Sequence, residues 1–134
     1  MPLHLTKVAV GCRTLESLEK RIATRATGGE MRVVTRMRPK RMAEIVEGGA
    51  LYWIIKHQLV ARSPILRFGE AEGGRTAIHL NPEVVLIHAR PKRAHQGWRY
   101  LTARTAPRDL DAGEDVGDII PGRIAGKLAK LGLI

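Results

Sequence analysis

Five basic side chains, Arg32, Arg36, Arg38, Lys40 and Arg41, fall within ten residues. Arg32, Arg36 and Arg38 are even-numbered, so on an extended strand their guanidinium forks share a face and can line up along successive phosphates. Pro39 fits the first turn of a following helix, whose free backbone N–H groups also attract phosphate. A second cluster, Arg90, Lys92, Arg93, His95, Gln96, Trp98, Arg99 and Tyr100, mixes cations, an amide and two aromatic rings. Single-stranded nucleic acid calls for this mixture, because a ring stacks on a base while neighbouring cations hold the backbone. Between the clusters, Tyr52, Ile54 and Lys56 point one way on a central strand and Leu51, Trp53 and Ile55 the other. Giving the second set to the core leaves Tyr52 and Lys56 to line a groove with Arg62. The competing readings are a solvated strand face, core aromatics and a lysine whose stem lies along apolar surface.

Other site chemistries find less support. His4, His57, His79, His88 and His95 are scattered, and no two have helical ligand spacing; only His79 and His88 could meet across a hairpin. Cys12 follows Gly11 near a helix start, where the dipole favours a thiolate, but no histidine adjoins it. The pairs Gly28-Gly29, Gly48-Gly49 and Gly73-Gly74 read as turns or caps, and none has phosphate-loop spacing. The expectation is therefore no metal, no cofactor and no catalytic residue.

The chain that carries these clusters has 134 residues, enough for one domain and too few for two catalytic ones. With 44% hydrophobic and 27% charged residues it is neither collagen-like nor wholly disordered. Lysine and arginine number 23 against 13 acids, a net charge of +10 that favours anionic partners. The excess is uneven. Residues 109–134 hold five acids (Asp109, Asp111, Glu114, Asp115, Asp118) against three bases (Arg123, Lys127, Lys130). This divides the chain into a basic α+β domain, 1–108, and an acidic linker with a C-terminal amphipathic helix docked on that domain, 109–134. One cysteine, no signal-peptide pattern at Met1 to Gly11 and no long apolar run predict a soluble cytoplasmic protein without membrane contact.

Periodicity supplies the elements. Leu3 to Val10 reads as a strand, and Leu15, Leu18 and Ile22 behind Thr14 predict a helix over Leu15 to Ala26. Met31 to Met37 reads as a second strand, and a short helix follows Pro39 with Met42, Ile45 and Val46 inward. Leu51 to Ile55 begins a strand that continues with breaks through Leu59 to Ala61 and Ile65 to Phe68, with Pro64 at a bulge or edge. Gly69 to Gly74 predicts a hairpin loop to Thr76–Leu80, then Asn81-Pro82 turns into Val84–His88, and Trp98 to Thr102 ends the series. Ile124, Leu128 and Leu131 behind Pro121 predict the last helix. The expected fold is α+β: a small curved antiparallel sheet or partly closed barrel, with two N-terminal helices and a short C-terminal one.

Four blocks carry a resemblance: Met1 to Gly11, Thr35 to Arg41, Gly48 to Lys56 and Gln96 to Leu101. In this order the chain resembles, over essentially its whole length, the domain-of-unknown-function family 1489, a bacterial family seen mainly in alphaproteobacteria. The resemblance implies a soluble bacterial protein and supplies no catalytic residues. Arg62-Ser63 departs from the family pattern, where an Arg-Gln pair is expected. The order of elements is also similar to the pseudouridine-synthase-and-archaeosine-transglycosylase (PUA) barrels and the ASC-1 homology domains, which often bind RNA; as an analogy of fold it shifts only a prior.

Together these readings predict a non-enzymatic domain that binds nucleic acid, RNA favoured, through a positively charged groove. The groove is assigned Arg36, Arg38, Lys40, Arg41, Tyr52, Lys56, Arg62, Arg90, Lys92, Arg93, Gln96, Arg99 and Tyr100. One alternative is an enzyme acting on nucleic-acid or nucleotide phosphate, with Lys40 or Lys56 stabilising charge and Tyr52 or His95 moving a proton. The other is a structural module whose basic face meets an acidic protein.

Overall fold

The computed structural model describes residues 2–110; the expected helix around Ile124, Leu128 and Leu131 lies outside them. Element order is β1 (Leu3–Val8), α1 (Leu15–Arg25), β2 (Met31–Thr35), α2 (Met42–Val46), β3 (Ala50–Ile55), β4 (Gln58–Glu70), β5 (Thr76–Leu80), β6 (Val85–Pro91) and β7 (Trp98–Thr102). The seven strands form one sheet in the order β2-β5-β4-β3-β1-β7, with β6 also paired to β4. The α+β expectation is met. The sheet is mixed, however: β1 and β3 run parallel, Leu5 opposite Leu51 and Lys7 opposite Trp53. Parallel neighbours need a long crossover, and here α1, β2 and α2 supply it. The sheet also stays open, since edge strands β2 and β7 are not paired with each other. Among the described residues no helix is long and apolar enough to cross a membrane.

Local chemistry explains the elements. Thr14 caps α1, its Oγ1 accepting from the Ser17 N–H at 3.1 Å, and Leu15, Leu18 and Ile22 form the buried stripe. In α2 only Ile45 is buried; Val46, expected inward, is 40% exposed because a five-residue helix has room for one inward position per turn. Of the expected breaks in the central strand, the one after Ile55 is the turn at Lys56 and His57 that separates β3 from β4, and the one between Ala61 and Ile65 is absent. β4 runs unbroken for 13 residues, with register shifts between Leu59 and Ala61 and between Ile65 and Arg67. Pro64 sits where β4 passes from β3 to β5, and its carbonyl accepts from Asn81 N–H at 2.9 Å.

Both faces of β3 are buried, which overturns the assignment of only one face to the core. Leu51, Trp53 and Ile55 join Leu3, Leu5, the α1 stripe and Ile45 on the helix-covered face. Ala50, Tyr52 and Ile54 pack with Leu59, Ile87 and Leu101 on the other. A polar group lies within this second core. His4 Nδ1 accepts from Ala50 N–H at 3.0 Å, and its ring meets Tyr52 edge-on. Arg62 donates through Nε and a terminal nitrogen to both carboxylate oxygens of Asp109, at 2.8 and 2.7 Å.

This arrangement predicts acid sensitivity. Burial, then the nearby Arg62 charge, holds His4 below its ordinary pKa, and the Arg62 hydrogen bonds hold Asp109 below its own. Both shifts mean that the folded chain binds fewer protons than the unfolded one, so stability falls with pH. The loss begins near pH 6.5 as His4 takes up a proton in the unfolded chain, and deepens below about pH 4 as Asp109 there does the same and loses its charge. Urea midpoints should be flat above pH 7 and drop in these two stages. The first stage should shrink in His4→Asn, which still offers Ala50 an acceptor; an undiminished stage would clear His4 of this role.

Candidate nucleic-acid interface

β7 is an edge strand, and the two basic clusters meet on it. Trp98 and Tyr100 share one face of β7, in register with Lys7 and Leu5 of β1, with their rings edge to face at 4.8 Å. The segment that leaves β2 crosses to these rings. Trp98 Nε1–H donates to the Met37 carbonyl at 2.8 Å, while the Tyr100 hydroxyl accepts from the backbone N–H groups of Lys40 and Arg41 at 3.0 and 3.3 Å. The Arg41 guanidinium lies 5.7 Å from the Tyr100 ring centroid. Two indole and phenol polar groups thus fix residues 37–41 against the sheet rim.

The loop between β6 and β7 is fixed from the opposite side. Lys92 N–H donates to the His57 carbonyl at 2.9 Å, and His95 Nε2 is 2.8 Å from Thr6 Oγ1. Thr6 stands opposite Arg99 in the β1–β7 register. His57 belongs to the β3–β4 turn, where Lys56 and His57 have φ of 49° and 60°. Two consecutive left-handed non-glycine residues are costly, and contact with the 91–96 loop helps hold them there.

The assigned residues therefore sort into three groups. Arg36, Arg38, Lys40, Arg93, Gln96 and Arg99 are exposed around β7. Lys56 is exposed at the hairpin tip, beyond the strand on which it was placed, and His57 brings that tip to the 91–96 loop. Lys92 is half-buried in the same loop. Arg41 and Arg90 are engaged, Arg41 in a bidentate pair with Glu44 and Arg90 with the Thr105 carbonyl. Tyr52 and Arg62 do not line this surface. Tyr52 is 4% exposed within the second core, and Arg62 is committed to Asp109. Arg32 is separated as well, because β2 ends at Thr35 and Arg36 and Arg38 lie beyond it; Arg32 stands opposite His79. Pro39 does not sit in the first turn of α2, which begins at Met42, and the N–H groups of Lys40 and Arg41 that follow Pro39 donate to the Tyr100 hydroxyl.

Lys7 is a member of the site that the sequence reading overlooked. It shares a face with Leu3 and Leu5, at a position where the strand pattern calls for an apolar residue, and stands in register with Trp53 on one side and Trp98 on the other. Burial holds its amine below the ordinary lysine value. Its break in the Leu3, Leu5 alternation was the available signal. His79 lies 3.7 Å from Glu30, and among the described residues no group of three or more His, Cys, Asp or Glu could hold a metal ion. Cys12 is buried.

Tyr100→Phe isolates the clamp, since it deletes the hydroxyl and keeps the ring. The expected cost is about 1 kcal/mol of stability, one net hydrogen bond at a solvated site. Amide hydrogen exchange at Lys40 and Arg41 should accelerate several-fold; unchanged protection would show that the hydroxyl does not hold the segment.

The family described as a protein of unknown function, DUF1489, matches residues 5–134. No curated protein and no solved structure matches the chain.

Proposed function

Because the chain belongs to the DUF1489 family, whose description assigns no activity, we propose a function from the site itself: a non-enzymatic domain that binds nucleic acid, RNA favoured, along the β7 rim. One observation carries this reading. Trp98 and Tyr100 seize the backbone of residues 37–41, so two basic segments some fifty residues apart in sequence share a rim with an exposed aromatic between them. Tyr100 is 37% exposed and Met37 66%, apolar surface of the kind on which a base stacks, among cations of the kind that hold a phosphate backbone. A rim open on one side fits a flexible single strand better than a rigid duplex. The analogy with PUA-type barrels agrees in direction and adds no more than a prior. The same proposal places the protein in the cytoplasm, where RNA is abundant and a lone cysteine stays reduced.

The experiment is a titration of labelled single-stranded RNA, single-stranded DNA and duplex with the full chain across a salt series. Four to six phosphate contacts give a log–log slope of about −3 to −4 on single strands. Tighter binding of single-stranded RNA than of duplex is expected. No binding at low salt would overturn the reading.

A further inference from the structure

At the other edge of the sheet, β2, a cavity gathers basic side chains that the β7 rim does not use. Arg32 of β2 stands directly opposite His79 of β5, and His79 opposite Arg67 of β4. The three form one cross-strand row on the face turned away from Met31, Ile78, Leu80 and the α1 stripe. Glu30 ties the row together: its carboxylate accepts from both terminal nitrogens of Arg67, at 2.7 and 2.8 Å, and lies 3.7 Å from His79 Nδ1. The ring of His79 lies against Gly69, where a Cβ would stand 3.1 Å from Nε2, so the imidazole is lodged between a carboxylate and the main chain. Beside it the cavity, of about 310 Å³, is lined by Arg25, Thr27, Glu30, Met31, Arg32 and His79. One wall is the turn from α1 into β2, whose shape is fixed by two main-chain bonds between Thr27 and Glu30, of 2.7 and 3.1 Å. The charges lining this cavity do not cancel. Arg67 neutralises Glu30, whereas Arg25 and Arg32 have no hydrogen-bond or ion-pair partner among the described residues. Arg25 is in the last turn of α1, and the helix end carries about half a negative charge, which answers part of one guanidinium only.

We infer that this cavity binds a small phosphate monoester, with the phosphoryl group held by Arg25 and Arg32 beside Thr27 and His79. A monoester carries a charge of about −1.5 to −2 at pH 7, which matches two unanswered guanidinium groups, and its three oxygens suit their forked donors. A dicarboxylate spreads the same charge over two centres, while donors drawn from one turn and one strand pair favour a single centre. The volume stands at the lower end of small-molecule sites, with room for an ester group beyond the phosphoryl. The inference goes beyond the nucleic-acid reading, because β2 and β7 are opposite edges of the sheet and no residue lining the cavity belongs to the β7 rim.

The test is a titration of the full chain with ribose 5-phosphate, a nucleoside monophosphate, inorganic phosphate and succinate, followed through the His79 ring protons and the Thr27 amide. The two monoesters are expected to shift both signals in a saturable way and to bind more tightly than inorganic phosphate, with succinate weakest. Arg25→Gln and Arg32→Gln should each weaken monoester binding about tenfold, the loss of one charge-assisted contact. Both residues are exposed and unpaired, so the melting temperature should be retained. Single-stranded RNA should bind the Arg32→Gln chain as it binds the parent. A tenfold loss of RNA affinity in that variant would make the cavity part of the nucleic-acid surface and overturn its assignment to a small ligand. Equal binding of inorganic phosphate overturns the ester, and equal binding of succinate overturns the phosphoryl group. Signals that no probe moves, or that move alike in the parent and both variants, overturn the site. None of these small-probe results bears on RNA binding at β7, and a chain that binds no RNA would leave the cavity's result intact.

Discussion

Replacing Arg36, Arg38 and Lys40 together by alanine should weaken single-stranded RNA binding roughly a hundredfold, if each lost phosphate contact is worth about 1 kcal/mol. The three side chains are exposed and make no ion pair among the described residues, and the backbone that carries them is held through Met37 and the amides of Lys40 and Arg41. Their truncation therefore removes charge without removing the clamp. Stability should stay within about 0.5 kcal/mol of the parent chain, as for other exposed substitutions. The salt slope should fall by about two, one increment of roughly 0.7 per contact on single strands. Arg25→Ala combined with Arg75→Ala is the control, two exposed cations on other elements. If the control weakens binding as much as the triple variant does, net charge alone accounts for association and the β7 rim has no special part in it. An unchanged affinity in the triple variant would remove residues 36–40 from the site.

How far the sequence foretold this arrangement depends on how local each determinant is. α1 was legible because its cap, its stripe and its glycine stop all lie within the segment Thr14 to Gly29. The hairpin through Gly69 to Gly74 was legible for the same reason. The parallel pairing of β1 with β3 was not, since Leu5 meets Leu51 only after a crossover that period-2 alternation cannot reveal. Burial of both faces of β3 was hidden likewise: the second core is assembled from Leu59, Ile87 and Leu101, three other strands of the sheet. Arg62 looked like a groove cation because its partner, Asp109, is 47 residues away and sat in a stretch read as an acidic linker. The turn at Lys56 and His57 gave no warning, as it lacks the Asn-Gly or Gly-containing pair that such left-handed turns favour. Composition and clustering did locate the basic segments around β7, whereas the docking of residues 37–41 on Trp98 and Tyr100 depends on contacts some sixty residues apart.

Among the glycines of the described residues, Gly49→Ala should be the most damaging substitution. A Cβ at this position would fall inside 3.0 Å of two backbone oxygens, those of Ile45 and Leu3, neither of which can rotate away. Gly49 N–H also donates to the Ile45 carbonyl at 2.7 Å, and the Gly49 carbonyl accepts from Ile65 N–H at 3.0 Å. The residue thus joins the end of α2, the start of β1 and the middle of β4, and relief of the overlap must separate at least two of them. Overpacking of flexible side chains costs about 1–3 kcal/mol, and a clash between main chains belongs at or above the upper end. A loss of about 3 kcal/mol takes a large share of the 5–15 kcal/mol that stabilises a domain and lowers the melting temperature by roughly 10–20 °C. Gly28→Ala is the contrast, because its Cβ meets nothing within 4 Å and its φ of 61° costs only left-handed strain, about 1 kcal/mol. Since residues 37–41 enter α2 directly, displacement of that helix should also loosen their hold on Tyr100, so RNA affinity should fall along with stability. Thermal unfolding of the two variants side by side decides the matter: a Gly49→Ala chain that melts within a few degrees of the parent would mean that α2 and β1 part without cost, and that the α2 end is not what sets the position of the 37–41 segment.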